Sequence, residues 1–204
     1  MNDRQQTIAV YDNKAKELAD YFNGIGRRKT DIDKALSFIN KPNPKVIEIG
    51  CGNGRDAEEI LKHTNDYVGM DVSTGMIALA KKAIPTATFE VADIATYNFP
   101  PNTDIIFSFA SLLHSDKHEV SDVISRAYEA LSPNGIFYIS LKYDTYQKKI
   151  KSDEYGERVF YFYTPEDIKE LADKRFATVH EDTQVIGDTK WFTIALQRFN
   201  GSNS

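Results

Sequence analysis

Between Lys45 and Lys142 the chain alternates short apolar runs with longer amphipathic ones, and few architectures tolerate that rhythm. "KVIEI", "DYVGMD", "ATFEVAD", "TDIIFSFAS" and "GIFYISLK" read as strands, while "RDAEEILKHT", "STGMIALAKKA" and "HEVSDVISRAYEALS" read as helices among them. Strands separated by helices run parallel, with right-handed crossovers and helices on both faces. A later helix, "TPEDIKELADK", has Thr164 as its cap and Pro165 at its first position. "FATVHEDTQV" and "WFTIALQRF" are close enough to pair as an antiparallel hairpin. The expected fold is therefore α/β: a doubly wound, mostly parallel sheet, closed by a C-terminal hairpin.

The 204 residues suit a single domain. Residues 1–44 form a helical cover. Within it Ile8, Tyr11, Ala15, Leu18 and Phe22 recur every three or four positions, predicting one helix that Asn23 and Gly24 end. A second helix is expected over "TDIDKALSFIN", capped by Thr30 or Asp31 and stopped by Pro42 and Pro44. Residues 45–141 form the core, and 164–199 the last helix and hairpin. The stretch 142–163, rich in tyrosine and charge, is expected as a loop that covers a substrate. The tail "NGSNS" is expected to fray.

Gly50, Gly52 and Gly54 stand just past the first strand and just before the first crossover helix. In an open parallel sheet that is where ligands bind. Bare backbone there permits unusual angles and lets a ligand approach the main chain. A dinucleotide fingerprint would need a glycine where Arg55 stands, and a phosphate-binding loop would need a lysine and a hydroxyl that "GNGRDA" lacks. The loop thus suits close contact with something other than a pyrophosphate. Asp71, ending the second strand about twenty residues on, is placed to accept from ribose hydroxyls, though capping the next helix is its alternative role. Asp93 follows the third strand, where an Asx turn is the alternative. Glu48 is a carboxylate in an otherwise apolar strand, costly to bury without partners. A hydrogen-bonding role beside the glycine turn, or contact with a cationic ligand group, accounts for it better than bulk burial.

Together these segments resemble the class I S-adenosylmethionine-dependent methyltransferases. "VIEIGCGNG" is similar to the family's first motif, an acidic residue followed by Gly-x-Gly-x-Gly. "YVGMDVS" resembles its second-strand acid, "VADI" its adenine-contacting segment, "DIIFSFASLLH" its fourth strand, and "ALSPNGIFYIS" the approach to its fifth. Asn134 stands where a glycine is usual, and asparagine also tolerates positive φ. The resemblance spans about 45–141 and implies a seven-stranded, Rossmann-like methyltransferase fold with S-adenosyl-L-methionine as cofactor. It implies that Gly50 and Gly52, with Cys51 between them, lie along the methionine part and that Glu48 is the motif acid. It further implies that Asp71 and Val72 meet the ribose, Asp93 and Ile94 the adenine, and Phe109 and Ala110 the cofactor's other side.

A sulfonium methyl transfers by in-line attack, so alignment, water exclusion and sometimes a base are what a protein adds. His114, after the fourth strand, is the candidate general base, with helix capping or substrate binding as alternatives. Tyr11, Arg27, Arg28, Lys142, Arg158, Tyr161 and Tyr163 lie on elements that would cover the cleft. Their cations and aromatics suit a small anionic or planar acceptor. No metal site is expected.

The net charge of −5 gives no electrostatic reason to expect nucleic acid, the basic runs are short ("GRRK", "QKKIK"), and "FASL" replaces the motif of amino-methylating nucleic-acid enzymes. The one cysteine, Cys51, lies in the glycine loop, so no disulfide and no cysteine nucleophile is expected. With no signal-like or membrane-length apolar run, the expected compartment is the cytoplasm. The expected function is methyl transfer to an O or N of a small molecule by a monomer or homodimer, without membrane or nucleic-acid partners. The alternatives are a non-catalytic S-adenosylmethionine sensor, a nicotinamide-dependent oxidoreductase, or a protein- or tRNA-methylating enzyme.

Overall fold

The computed structural model describes residues 3–199, so the tail from Asn200 lies outside the described residues. Its centre is a seven-stranded sheet in the order β3-β2-β1-β4-β5-β9-β8. The strands are β1 (Val46–Ile49), β2 (Tyr67–Asp71), β3 (Thr88–Val91), β4 (Thr103–Phe109), β5 (Leu131–Lys142), β8 (Phe176–Ile186) and β9 (Thr189–Arg198). The first five pair in parallel, while β9 runs antiparallel to both β5 and β8. The winding reverses between β1 and β4, the place where such sheets open for ligands.

Strand alternation separates two cores. Ile47, Ile49, Ile106 and Phe137 pack on one face with Val123 and Ile124 of α6 (Lys117–Ala130) and Ile168 of α7 (Pro165–Ala172). Val46, Phe107, Ile136 and Tyr138 pack on the other with residues of three helices. These are Ile32 of α3 (Lys29–Leu36), Ile60 of α4 (Ala57–Ile60) and Ile77 of α5 (Thr74–Ala83). Central strands buried on both faces read as unbroken apolar runs, as β4 does at all seven positions. Thr164 caps α7 in a full capping box with Asp167, with Pro165 at the first turn.

Four local expectations are corrected. The N-terminal stripe forms two helices, α1 (Asp3–Asn13) and α2 (Ala15–Ile25), because Lys14 leaves helical angles at φ −114° and ψ 23°. The second helix ends past Asn23 and Gly24, and Gly26 takes the positive φ of 88°. α3 starts at Lys29 with Arg28 preceding it, so neither Thr30 nor Asp31 is the cap. The expected ten-residue helix from Arg55 shrinks to α4, since Asp56 is held by Arg28 and Arg55 and makes no capping bond.

The stretch expected as a loop is a second sheet. β6 (Gln147–Asp153) and β7 (Gly156–Phe162) form an antiparallel hairpin, and α1 packs on β7, where Thr7 Oγ1 accepts from the Val159 N–H over 3.1 Å. Asn134, near the start of β5, has a φ of 63°, an angle that asparagine tolerates.

Candidate functional site

Because β1 ends at the reversal, its following turn forms one wall of a cavity of about 600 Å³. Gly50, Gly52 and Gly54 all take positive φ, at 66°, 55° and 79°. Their reasons differ. A Cβ on Gly50 would lie 2.3 Å from Ser111 Oγ, so that glycine lets the loop after β4 close on the turn. A Cβ on Gly52 would meet nothing within 4 Å, so its bare side opens onto free space. The turn is fastened to β2: the Asp71 carboxylate accepts from the Gly52 N–H over 3.0 Å and the Ser73 N–H over 2.9 Å. One bond to each oxygen leaves further lone pairs for hydroxyl donors.

Glu48 is 2% exposed and still lines the cavity. The Tyr67 hydroxyl donates to its Oε2 over 2.6 Å. Burial, reinforced by the Asp56 carboxylate, pushes the Glu48 carboxyl up to about 8, against the opposing pull of Tyr67, Arg55 and Arg28. It is therefore a neutral acid near pH 7 that a cationic group would ionise.

Across from the turn, His114 follows β4 on a short 3-10 turn. Its Nδ1 faces the Val159 carbonyl at 2.6 Å, and a carbonyl can only accept. The proton is therefore on Nδ1, and Nε2 accepts from the Tyr11 hydroxyl over 2.9 Å. Burial, with Arg158 and Lys142 nearby, lowers the imidazole to about 4, so it is neutral. Tyr11 comes from α1, which is latched in place by Asp12. The Asp12 Oδ1 accepts from Ser73 Oγ (2.7 Å), Thr74 Oγ1 (3.1 Å) and the Gly75 N–H (3.1 Å) at the start of α5. Gly75 permits this approach, since a Cβ there would lie 2.8 Å from that of Ala15.

The cavity gathers most of the expected residues: Glu48, Gly50, Cys51, Gly52, Asp71 and Val72, then Ile94, Phe109, Ala110 and His114, and also Tyr11, Lys142 and Arg158. Ala110 sits at a positive φ of 55°, a strained angle for alanine, where β4 passes the cavity. Four residues are not brought to its wall, one of them Tyr163, which is fully buried and donates its hydroxyl to the Ser115 carbonyl over 2.6 Å. Asp93 is ion-paired with Arg4 of α1 and accepts from the Ala95 N–H. Arg27 turns to Glu58 while its neighbour Arg28 lines the cavity. Tyr161 stacks on Tyr146, because alternation along β7 gives Arg158 and Phe160 the cavity face and Tyr161 the other. Sequence reasoning missed Arg4, Arg55, Lys151, Tyr155 and Trp191, all on the wall. The alternation of lysines in "QKKIKSD" was the available signal for Lys151.

Residues 46–135 match the family model described as a methyltransferase domain. That segment, under half of the chain, resembles the class I S-adenosylmethionine-dependent methyltransferases. Among curated methyltransferases, it is 30% identical over 109 residues to a trans-aconitate 2-methyltransferase of Acidovorax sp. (strain JS42), covering 52% of this chain and 42% of that protein. The chain thus spans less than half the length of that relative. The fold is shared with the DhpI–SAH complex, at TM-score 0.72 and 16% identity over 95% of this chain and 96% of that one. It is shared too with the N-methyltransferase NodS of Bradyrhizobium japonicum WM9 bound to S-adenosyl-L-homocysteine, at TM-score 0.67 and 16% identity over 84% and 85%. Among the described residues no helix is long and apolar enough to cross a membrane. Asp33, Glu59 and His63 bring ligand atoms within 4.8 Å of one another, away from the methyltransferase cavity.

Proposed function

We propose that this chain transfers a methyl group from S-adenosylmethionine to an oxygen or nitrogen of a small molecule. The observation that carries the reading is the single cavity that joins the Gly50–Gly54 turn and Asp71 to Tyr11, Lys142 and Arg158. A cavity of about 600 Å³ falls in the range of small-molecule sites. The name of the trans-aconitate relative supports an acceptor of that size.

The cofactor supplies an electrophilic methyl that needs no activation. The chain's residues bind and align it. The open side of Gly52 suits close contact with the methionine part, Glu48 its ammonium, and the spare lone pairs of Asp71 the ribose hydroxyls. Ile94 lines the adenine side, which Asp93 supports from behind through its turn and its bond to Arg4. α1 and the β6–β7 hairpin cover the acceptor and exclude water. His114 spends both nitrogens on Val159 and Tyr11, so its role is to position the Tyr11 hydroxyl at the acceptor end.

The test is transfer of a labelled methyl group from S-adenosylmethionine to a panel of small oxygen and nitrogen acceptors. Turnover on at least one, lost in Asp71→Ala, is expected. Cofactor binding without turnover across a broad panel would instead indicate a sensor.

A further inference from the structure

We propose that the acceptor carries a carboxylate or phosphate group, and that Lys142, Lys151 and Arg158 grip that oxyanion beside the ring of Phe160. The inference rests on the methyltransferase reading and names the substrate class for the same cavity.

The hairpin supplies the first argument. Its register sets Lys151 directly opposite Arg158. Like charges directly opposed across an antiparallel pair are destabilising. Both nonetheless lie on the hairpin face that lines the cavity. Lys142, at the end of β5, adds a third cation. Its Nζ is 3.9 Å from the Phe160 ring centre, with Lys151 Nζ at 6.0 Å and the Arg158 guanidinium carbon at 5.7 Å. Three cations from three strands thus share one aromatic ring.

Their counter-charge is incomplete. Asp153 pairs with Arg158. Arg158 is only 7% exposed, yet its Nε has no hydrogen-bond partner among the described residues. A buried donor left without an acceptor is costly, and native proteins rarely tolerate one without reason. Lys142 shows the same deficit: burial, then Lys151 and Arg158, lower its ammonium to about 8, with Asp153 opposing. One oxyanion would give Nε its acceptor, screen Lys151 from Arg158 and hold Lys142 in its ammonium form. A guanidinium fork matches the paired oxygens of a carboxylate or phosphate.

The experiment uses the full chain saturated with S-adenosyl-L-homocysteine and reads binding by titration calorimetry. The probes are inorganic phosphate, citrate and the uncharged trimethyl ester of citrate. At least one anion is expected to bind, weakening as salt rises, while the ester does not. The tighter anion tells a phosphate acceptor from a carboxylate one. Lys151→Met, at an exposed position that folding does not need, and Lys142→Met should each weaken the anion tenfold or more while the homocysteine product binds within twofold of normal. Equal binding of the ester, or no effect of either variant, overturns this inference alone. No heat with S-adenosyl-L-homocysteine itself overturns the methyltransferase reading as well.

Discussion

The Tyr11 hydroxyl donates to His114 Nε2 over 2.9 Å, and the imidazole returns its own proton to the Val159 carbonyl over 2.6 Å. A helix of the cover, the loop after β4 and the hairpin are thereby tied through one neutral ring. Its pKa near 4 in the fold lies below the 6.5 of a free histidine, so the unfolded chain binds the proton more tightly. The contribution is complete above pH 6.5, shrinks as pH falls toward 4 and is constant below that. At full size it is on the order of 3 kcal/mol or slightly more. Denaturant melts at stepped pH should show wild type losing more stability than His114→Gln across that window. Parallel curves would refute the assignment.

The two neighbouring glycines should respond differently to alanine. Gly50→Ala drives a Cβ into Ser111 and should lower the melting temperature sharply or prevent folding. Gly52→Ala meets only open space, so it should cost about 1–2 kcal/mol for its left-handed angle and still fold. Its methyl group would occupy ligand space, and affinity for S-adenosylmethionine should fall at least tenfold. Thermal melts paired with calorimetry separate the two effects.

Glu48 should make cofactor binding release protons. With a pKa near 8 it is mostly protonated at pH 7, and an ammonium placed against it would displace roughly one proton. Calorimetric heats measured at pH 7 in buffers of different ionisation enthalpy should diverge accordingly. Glu48→Gln keeps the shape and the bond from Tyr67 but should make the heats buffer-independent.

The cover should loosen when its latch is cut. Burial opposes ionisation of Asp12, but hydrogen bonds from Gly75, Ser73 and Thr74 outweigh it and hold its carboxyl below the usual range. Asp12→Ala removes all three contacts and should raise KM for the acceptor several-fold. Amide exchange should quicken in residues 3–25 and leave β1–β5 protected.

What the sequence revealed followed from periodicity and from glycine. The parallel core was legible because β1, β4 and β5 are apolar runs between capped helices, and the turn because Gly50, Gly52 and Gly54 fall at its reversal point. The hairpin escaped because Lys149, Lys151 and Asp153 give its inner face the polarity of a loop, although alternation was present. Arg27 and Arg28 were indistinguishable in sequence, since only the start of α3 decides which turns inward. Asp93 was placed correctly after β3, yet its pairing with Arg4 depends on how α1 docks, across 89 residues. Local pattern therefore identified the glycine-turn wall of the cavity, whereas the opposite wall, with Tyr11, Lys142 and Arg158, is assembled by long-range packing.

The most direct trial of the central assignment is titration of S-adenosyl-L-homocysteine into the wild-type chain and into Asp71→Asn, which keeps the side chain's size but replaces one carboxylate oxygen with a donor. Saturable one-to-one heat that weakens tenfold or more in the variant is the predicted result. Equal affinity in both proteins, or no heat in the wild type, would contradict it.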